Sequence, residues 1–271
     1  MRSWVRAGAL VASSALVLGT AVPAYAASVA PPPIDAAVDY QLGGAYTPAA
    51  GVTVVTRDVT STPSPGRYGI CYINAFQTQP RTRSWWQANH PSLLLRDGAG
   101  RLVNDADWPD ETLLDTSTSA KRRELLAVAD VWLARCAAKG FRAVEPDNLD
   151  SWTRSRGRLT MRNNAGFAAA LVAHAHARGL AVAQKNDVDM LALRSVTRFD
   201  FAVVEECQVY AECSAYTRVY GRRVIEIEYS DAGGRANFNA ACSARGSRIS
   251  IVYRDRDLVV RGKPGYVFAT C

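Results

Sequence analysis

Three carboxylates fall in one short stretch, Glu145-Pro146-Asp147-Asn148-Leu149-Asp150. The run Phe141 to Val144 before it is apolar, and Trp152, Arg154 and Arg156 follow it. Acids at the end of a buried strand need a partner or a use, because burying charge is costly. Taken alone, the stretch also reads as a solvated turn, since Asp and Asn are common turn residues. Two well-placed carboxylates support acid/base or carboxylate-nucleophile chemistry. Other chemistries find little support. The six cysteines form no CxxC pair. Of the three histidines, His174 and His176 are two apart and so point different ways on a helix. No metal and no cofactor are expected. No GxGxxG or GxxxxGK loop follows the first strands, which argues against a nucleotide site.

The elements that must position these acids are short apolar runs. Strands are expected at Val38–Leu42, Val52–Asp58, Tyr68–Asn74, Phe141–Asp147, Leu180–Asn186, Phe199–Glu205, Val224–Tyr229 and Ile249–Arg254. Helical patterns fall between most of them, the clearest over residues 119–139, capped by Thr118 or Ser119 and ended by Gly140. A second helix is expected over residues 164–178. Alternating strands and helices imply parallel strands with right-handed crossovers. Eight such units predict an α/β fold, a closed (β/α)8 TIM barrel, with an open doubly wound sheet as the alternative. The long connection from Ala75 to Ser117 is expected to cover or serve the site.

Strand alternation sorts the faces. It groups Ala143, Glu145 and Asp147, and likewise Phe201, Val203 and Glu205. In Val224–Tyr229 it places Ile225, Ile227 and Tyr229 toward helices and Glu226 and Glu228 toward the axis. Asp58, Asp147, Lys185, Glu205, Glu228 and Arg254 then share the C-terminal strand ends, where barrel enzymes hold their chemistry. Glu206 competes with Glu205 for the site. Glu145 and Glu226 lie deeper and suit buried ion pairs.

Residues 1–26 read as a secretory signal peptide. Arg2 and Arg6 precede an apolar run, and Ala24-Tyr25-Ala26 is a small-x-small cleavage pattern. Residues 27–37 form an extended lead-in, and 38–271 a single catalytic barrel. An exported chain with an even number of cysteines predicts three disulfides. Cys71 on the helix-facing side of its strand can meet Cys136. Cys207 and Cys213 can close a loop, leaving Cys242 for Cys271. The formal charge is +7, nearly all from arginine. The arginines are scattered along the chain and read as solvated surface, so neither nucleic acid nor membrane is expected as a partner. A monomer is expected.

The chain resembles glycoside hydrolase family 114, endo-α-1,4-polygalactosaminidases built on a (β/α)8 barrel. The resemblance rests on Asp39-Tyr40-Gln41-Leu42-Gly43-Gly44, Tyr72-Ile73-Asn74-Ala75-Phe76-Gln77, Glu145–Asp150, Gln184-Lys185-Asn186, Glu205-Glu206-Cys207 and Ile227-Glu228-Tyr229. It runs from about residue 38 to 231, and no motif is matched past about 235. It implies cleavage inside chains of α-1,4-linked galactosamine by Asp147 and Glu205. Asp147 would be the nucleophile or stabilising carboxylate and Glu205 the general acid/base. Tyr40, Gln41, Asp58, Tyr72, Asn74, Gln77, Asn148, Asp150, Lys185, Glu206, Glu228 and Arg254 are expected to line the substrate site. Tyr40, Tyr72, Trp85, Trp86, Trp108 and Trp152 offer aromatic platforms. The substrate would be a cationic amino-sugar polymer, and the acids supply an attractive local field. A sugar-binding barrel without catalysis is the alternative, as is a glycosidase for another amino sugar. Retention or inversion depends on the carboxyl separation.

Overall fold

The computed structural model describes Met1 and residues 29–271. The expected signal segment and the first residues of the lead-in lie outside the described residues. Nine strands run in sequence order around one sheet: β1 (Val38–Tyr40), β2 (Val54–Asp58), β3 (Tyr68–Asn74), β4 (Ala143–Asp147), β5 (Ala181–Lys185), β6 (Phe201–Glu205), β7 (Val224–Tyr229), β8 (Ser250–Arg254) and β9 (Phe268–Thr270). The first eight are parallel and form the expected TIM barrel. Helices α1 (Arg83–Asn89), α2 (Ser119–Lys139), α3 (Ser151–Arg154), α4 (Met161–His176), α5 (Arg194–Thr197), α6 (Cys213–Tyr220) and α7 (Gly234–Arg245) complete it. No helix among the described residues is long and apolar enough to cross a membrane.

The ninth strand was not foreseen. It pairs antiparallel with β8, on the edge that would otherwise meet β1. Phe268 packs into the barrel interior, while Val267 and Ala269 pack with the outer layer. The tail is therefore wall rather than an eighth helix. The disulfide Cys242–Cys271 ties it to α7. Its three-residue length and the Gly- and Pro-containing lead Gly262-Lys263-Pro264-Gly265 hid it from pattern reading.

Local signals explain the two main helices. The Thr118 hydroxyl accepts from the Lys121 amide and Gly140 closes α2 at φ 89°. Thr160 and Asn163 make a reciprocal capping box at the start of α4. On α2 the buried stripe is Leu125, Val128, Ala129, Leu133 and Cys136. Trp132 sits at its edge beside Trp86.

Two cores result. The barrel interior holds Val38, Val54, Ile70, Ala143, Ala183, Phe201, Val203, Ile225, Ile227 and Val252. The layer between strands and helices is larger and contains Cys71–Cys136. The third disulfide joins Cys207 to Cys213. All three expected pairings are present.

The β7 orientation differs from expectation. Ile225, Ile227 and Tyr229 face the barrel interior. Glu226 and Glu228 face α7, where Arg245 holds Glu226 at 2.7 Å and Asn237 donates to Glu228 at 2.6 Å. Both faces of a parallel barrel strand are buried, so alternation alone cannot say which side takes the acids. The partners on α7 decide it.

Candidate active site

Every one of the eight parallel strands ends in a polar residue: Tyr40, Asp58, Asn74, Asp147, Lys185, Glu205, Tyr229 and Arg254. Lys185 is the centre of the group. Its ammonium lies 3.2 Å from Glu145 Oε1, 3.5 Å from Asp147 Oδ1 and 3.2 Å from Glu205 Oε2. It also donates to the Tyr40 hydroxyl at 3.0 Å. Three tyrosines each serve one of these carboxylates. Tyr40 donates to Glu145 at 2.5 Å, Tyr72 to Asp147 at 2.7 Å, and Tyr229 to Glu205.

Burial separates the roles. The Lys185 and Glu145 side chains are 2% and 0% exposed, whereas Asp147 and Glu205 keep 20% and 24%. Of these four, Asp147 and Glu205 are the ones open at the barrel mouth. The chain turns sharply after each of three strands to leave these side chains at the mouth. Asn148, Asn186 and Glu206 follow Asp147, Lys185 and Glu205 and take φ of 66°, 48° and 58°. Asn tolerates that left-handed region; for Glu it is a local strain of the sort found at functional sites. Both asparagines also bind the catalytic candidates. The Asn148 amide donates to Asp147 Oδ1, and Asn186 Nδ2 donates to Glu205 Oε2, each at 2.9 Å.

The charges follow from this packing. Burial would lower the Lys185 ammonium, but Asp147, Glu205 and Glu145 hold it well above its ordinary range, so it stays a cation. Burial pushes the Glu145 carboxyl up to about 7, only partly opposed by Lys185 and Tyr40. Burial also pushes Glu205 up. There Lys185, Tyr229 and Asn186 outweigh it and hold the carboxyl below the usual range. Burial and the neighbouring carboxylates raise Tyr40, Tyr72 and Tyr229 well above 10, so all three remain donors.

Other expected residues take supporting places. Asn74 stands beside Asp147 on the β3 side, Asn148 Nδ2 donates to Asn74 at 2.9 Å, and the Gln77 backbone N–H donates to Asn74 Oδ1 at 3.3 Å. Arg154 gathers Asp150 at 2.7 Å, Asn148 at 3.1 Å and Gln77 at 3.3 Å. Gln41 is buried and links Asp39 to Arg57. Arg254 is fully buried at the β1–β8 seam, bound to Asp39 and to the Tyr40 carbonyl. Asp58 accepts from Thr60 and Gln79 at the turn after β2. Glu206 is turned away into a two-pronged pair with Arg256, at 2.6 and 3.1 Å. That leaves Glu205, not Glu206, in the centre. Glu228 lies behind the wall and is not in the site. Of the aromatics, Tyr40 and Tyr72 hold carboxylates, Trp86 is core, and Trp152 packs on Leu95 and Leu113. Trp85 and Trp108 remain exposed.

Sequence reasoning missed Glu111 and the role of Tyr229. Glu111 comes from the long connection, whose bridges Gln77↔Leu113 and Asn104↔Thr112 fold it against the barrel mouth. Its Oε2 accepts from Asn74 at 2.9 Å and Gln77 at 3.2 Å. Burial raises its carboxyl, and no described cation lies within 4.0 Å. Its exposed neighbour Trp108 was the only signal in the sequence.

Comparison with known proteins bears on the fold and the family. No curated protein matches the chain. The crystal structure of Aspergillus fumigatus Ega3 in complex with galactosamine matches with a TM-score of 0.72 at 23% identity, covering 90% of this chain and 98% of that one. The glycoside hydrolase domain of Pseudomonas aeruginosa PelA matches with a TM-score of 0.59 at 16% identity, covering 84% and 97%. These likenesses show the fold. The sequence model of glycoside-hydrolase family GH114 matches residues 19–271, nearly the whole chain. A barrel with a carboxylate pair at its C-terminal face, matched over that length, belongs to glycoside hydrolase family 114.

Proposed function

We propose that this glycoside hydrolase is exported and cleaves within chains of α-1,4-linked galactosamine, with Asp147 and Glu205 as the catalytic pair. The observation that carries the reading is the shared Lys185. Asp147 Oδ1 and Glu205 Oε2 each lie against the same ammonium, so they stand no further apart than the sum of its 3.5 and 3.2 Å legs. That ceiling sits at the low edge of the roughly 6.5–9.5 Å used for inversion and leans toward the about 5–5.5 Å of retention. Asp147 attacks the anomeric carbon while Glu205 gives a proton to the leaving oxygen. Glu205 then takes a proton from the water that releases the sugar from Asp147. Because Lys185 holds Glu205 low, this role requires acidic conditions or a substrate that displaces water from Glu205.

The galactosamine bound to Ega3 supports the substrate class. The electrostatics of the mouth support it too. Asp147, Glu205, Glu111, Asp105 and Asp150 surround it against Lys185 and Arg154, a balance that attracts a cationic polymer. Glu111 is proposed to face a substrate ammonium group. Three disulfides and the leader pattern of residues 1–26 support export.

The test is the product profile of the purified chain on defined α-1,4-galactosamine oligomers, with and without acetyl groups. Wild type should yield shortened internal fragments. Asp147→Asn and Glu205→Gln should each lower the rate at least about a hundredfold in protein that circular dichroism shows to be folded. Oligomers bound but never shortened would instead mark a binding barrel.

A further inference from the structure

The opposite end of the barrel carries a second charge pattern. Six consecutive parallel strands, β3 to β8, begin on one face. Exposed arginines stand just before five of them: Arg67 before β3, Arg142 before β4, Arg198 before β6, Arg222 and Arg223 before β7, and Arg248 before β8. Before β5 stands Arg178, which Asp130 holds at 2.6 Å. Among the described residues, only Arg222 of the exposed six has a carboxylate within reach, Asp35 at 4.0 Å. Spread along the sequence they read as solvated surface; the parallel topology collects them. Helix ends explain part of this, since Arg248 donates to the Ala244 carbonyl at the end of α7. They do not explain Arg67, which follows no helix; Arg142, just past the end of α2, lays its guanidinium 4.9 Å from the Tyr68 ring centre.

We propose that this face docks on a lipid bilayer rich in anionic phospholipid. Two further observations select lipid. Ile34, Val196 and Val219, 43%, 48% and 39% exposed, stand among the arginines. Apolar side chains beside guanidiniums suit the boundary between headgroups and acyl chains, and find no partner on a nucleic-acid backbone. Between α6 and α7 a cavity of about 340 Å³ is lined by Arg218, Arg222, Arg248 and Thr217, a setting for a phosphate headgroup. A barrel so seated turns Asp147 and Glu205 away from the membrane, toward extracellular polymer.

Residues 29–271 hold both cores, so the chain from Ala27 is the unit to test. Flotation with phosphatidylglycerol–phosphatidylcholine vesicles should carry the protein, and phosphatidylcholine vesicles should not. High salt should release it. Arg142→Glu/Arg222→Glu/Arg248→Glu should reduce partitioning at least about a hundredfold, compared at a temperature where circular dichroism shows both proteins folded. Val196→Asp/Val219→Asp should weaken vesicle binding and leave binding to a duplex DNA probe as it was. Failure to float with anionic vesicles, or equal flotation of the triple-Glu variant, would overturn the proposal. So would duplex binding tighter than vesicle binding with no effect of the two Asp substitutions; the face would then be a nucleic-acid surface.

Discussion

Replacing Glu145 with Gln isolates the most unusual charge in the barrel. Glu145 is wholly buried beneath Lys185; Tyr40 donates to its Oε1, and Oε2 has no partner. Unfolded, such a carboxyl titrates near 4.5; folded, burial holds it at about 7. Between those values the folded protein binds more protons than the unfolded chain, so rising pH destabilises the fold. Above neutrality the accumulated cost is of order 3 kcal/mol. Gln cannot ionise and is nearly the same size. The stability of Glu145→Gln relative to wild type should therefore increase from about pH 4.5 to about pH 8, by of order 3 kcal/mol. Urea unfolding of both proteins across that range measures the difference, and subtraction removes the titration of every other group. A flat difference would mean that the Glu145 carboxyl titrates alike in the folded and unfolded states. A difference that falls with pH would mean that its pairing with Lys185 outweighs burial. Either result would refute the reasoning.

Lys185→Met should destabilise by about 3–5 kcal/mol near neutral pH, because three carboxylates lose their common cation. It should also raise the Glu205 carboxyl, which Lys185 now holds down. The limb of the pH–rate profile that belongs to Glu205 then moves to higher pH. Glu111→Gln should reduce kcat/KM on free-amine oligomers about tenfold or more and change that on acetylated oligomers little. Equal losses on both would remove Glu111 from amine recognition. Asp147→Asn and Glu205→Gln should abolish most cleavage, as measured by the same product profile.

Much of this protein is written locally. Period-two apolar runs and helical stripes specify the eight parallel strands and the two main helices, since each element must bury a face. Caps such as Thr118 and Gly140 mark ends to within a residue. Motifs on separate strands mark Asp147, Lys185 and Glu205, and the outward face of β3 points Cys71 to Cys136. Tertiary structure decides what depends on partners distant in the chain. Which face of β7 is inside rests on Arg245 and Asn237 of α7, because a barrel strand is buried on both sides. Whether Glu205 or Glu206 serves the centre rests on Arg256, which draws Glu206 away. Glu111 reaches Asn74 only because a long connection folds back over the mouth. The arginine face exists only when the starts of parallel strands are brought to one end. Sequence distributes charge along a line, and Coulomb interactions read distances in space. The assignment of partners therefore belongs to the fold.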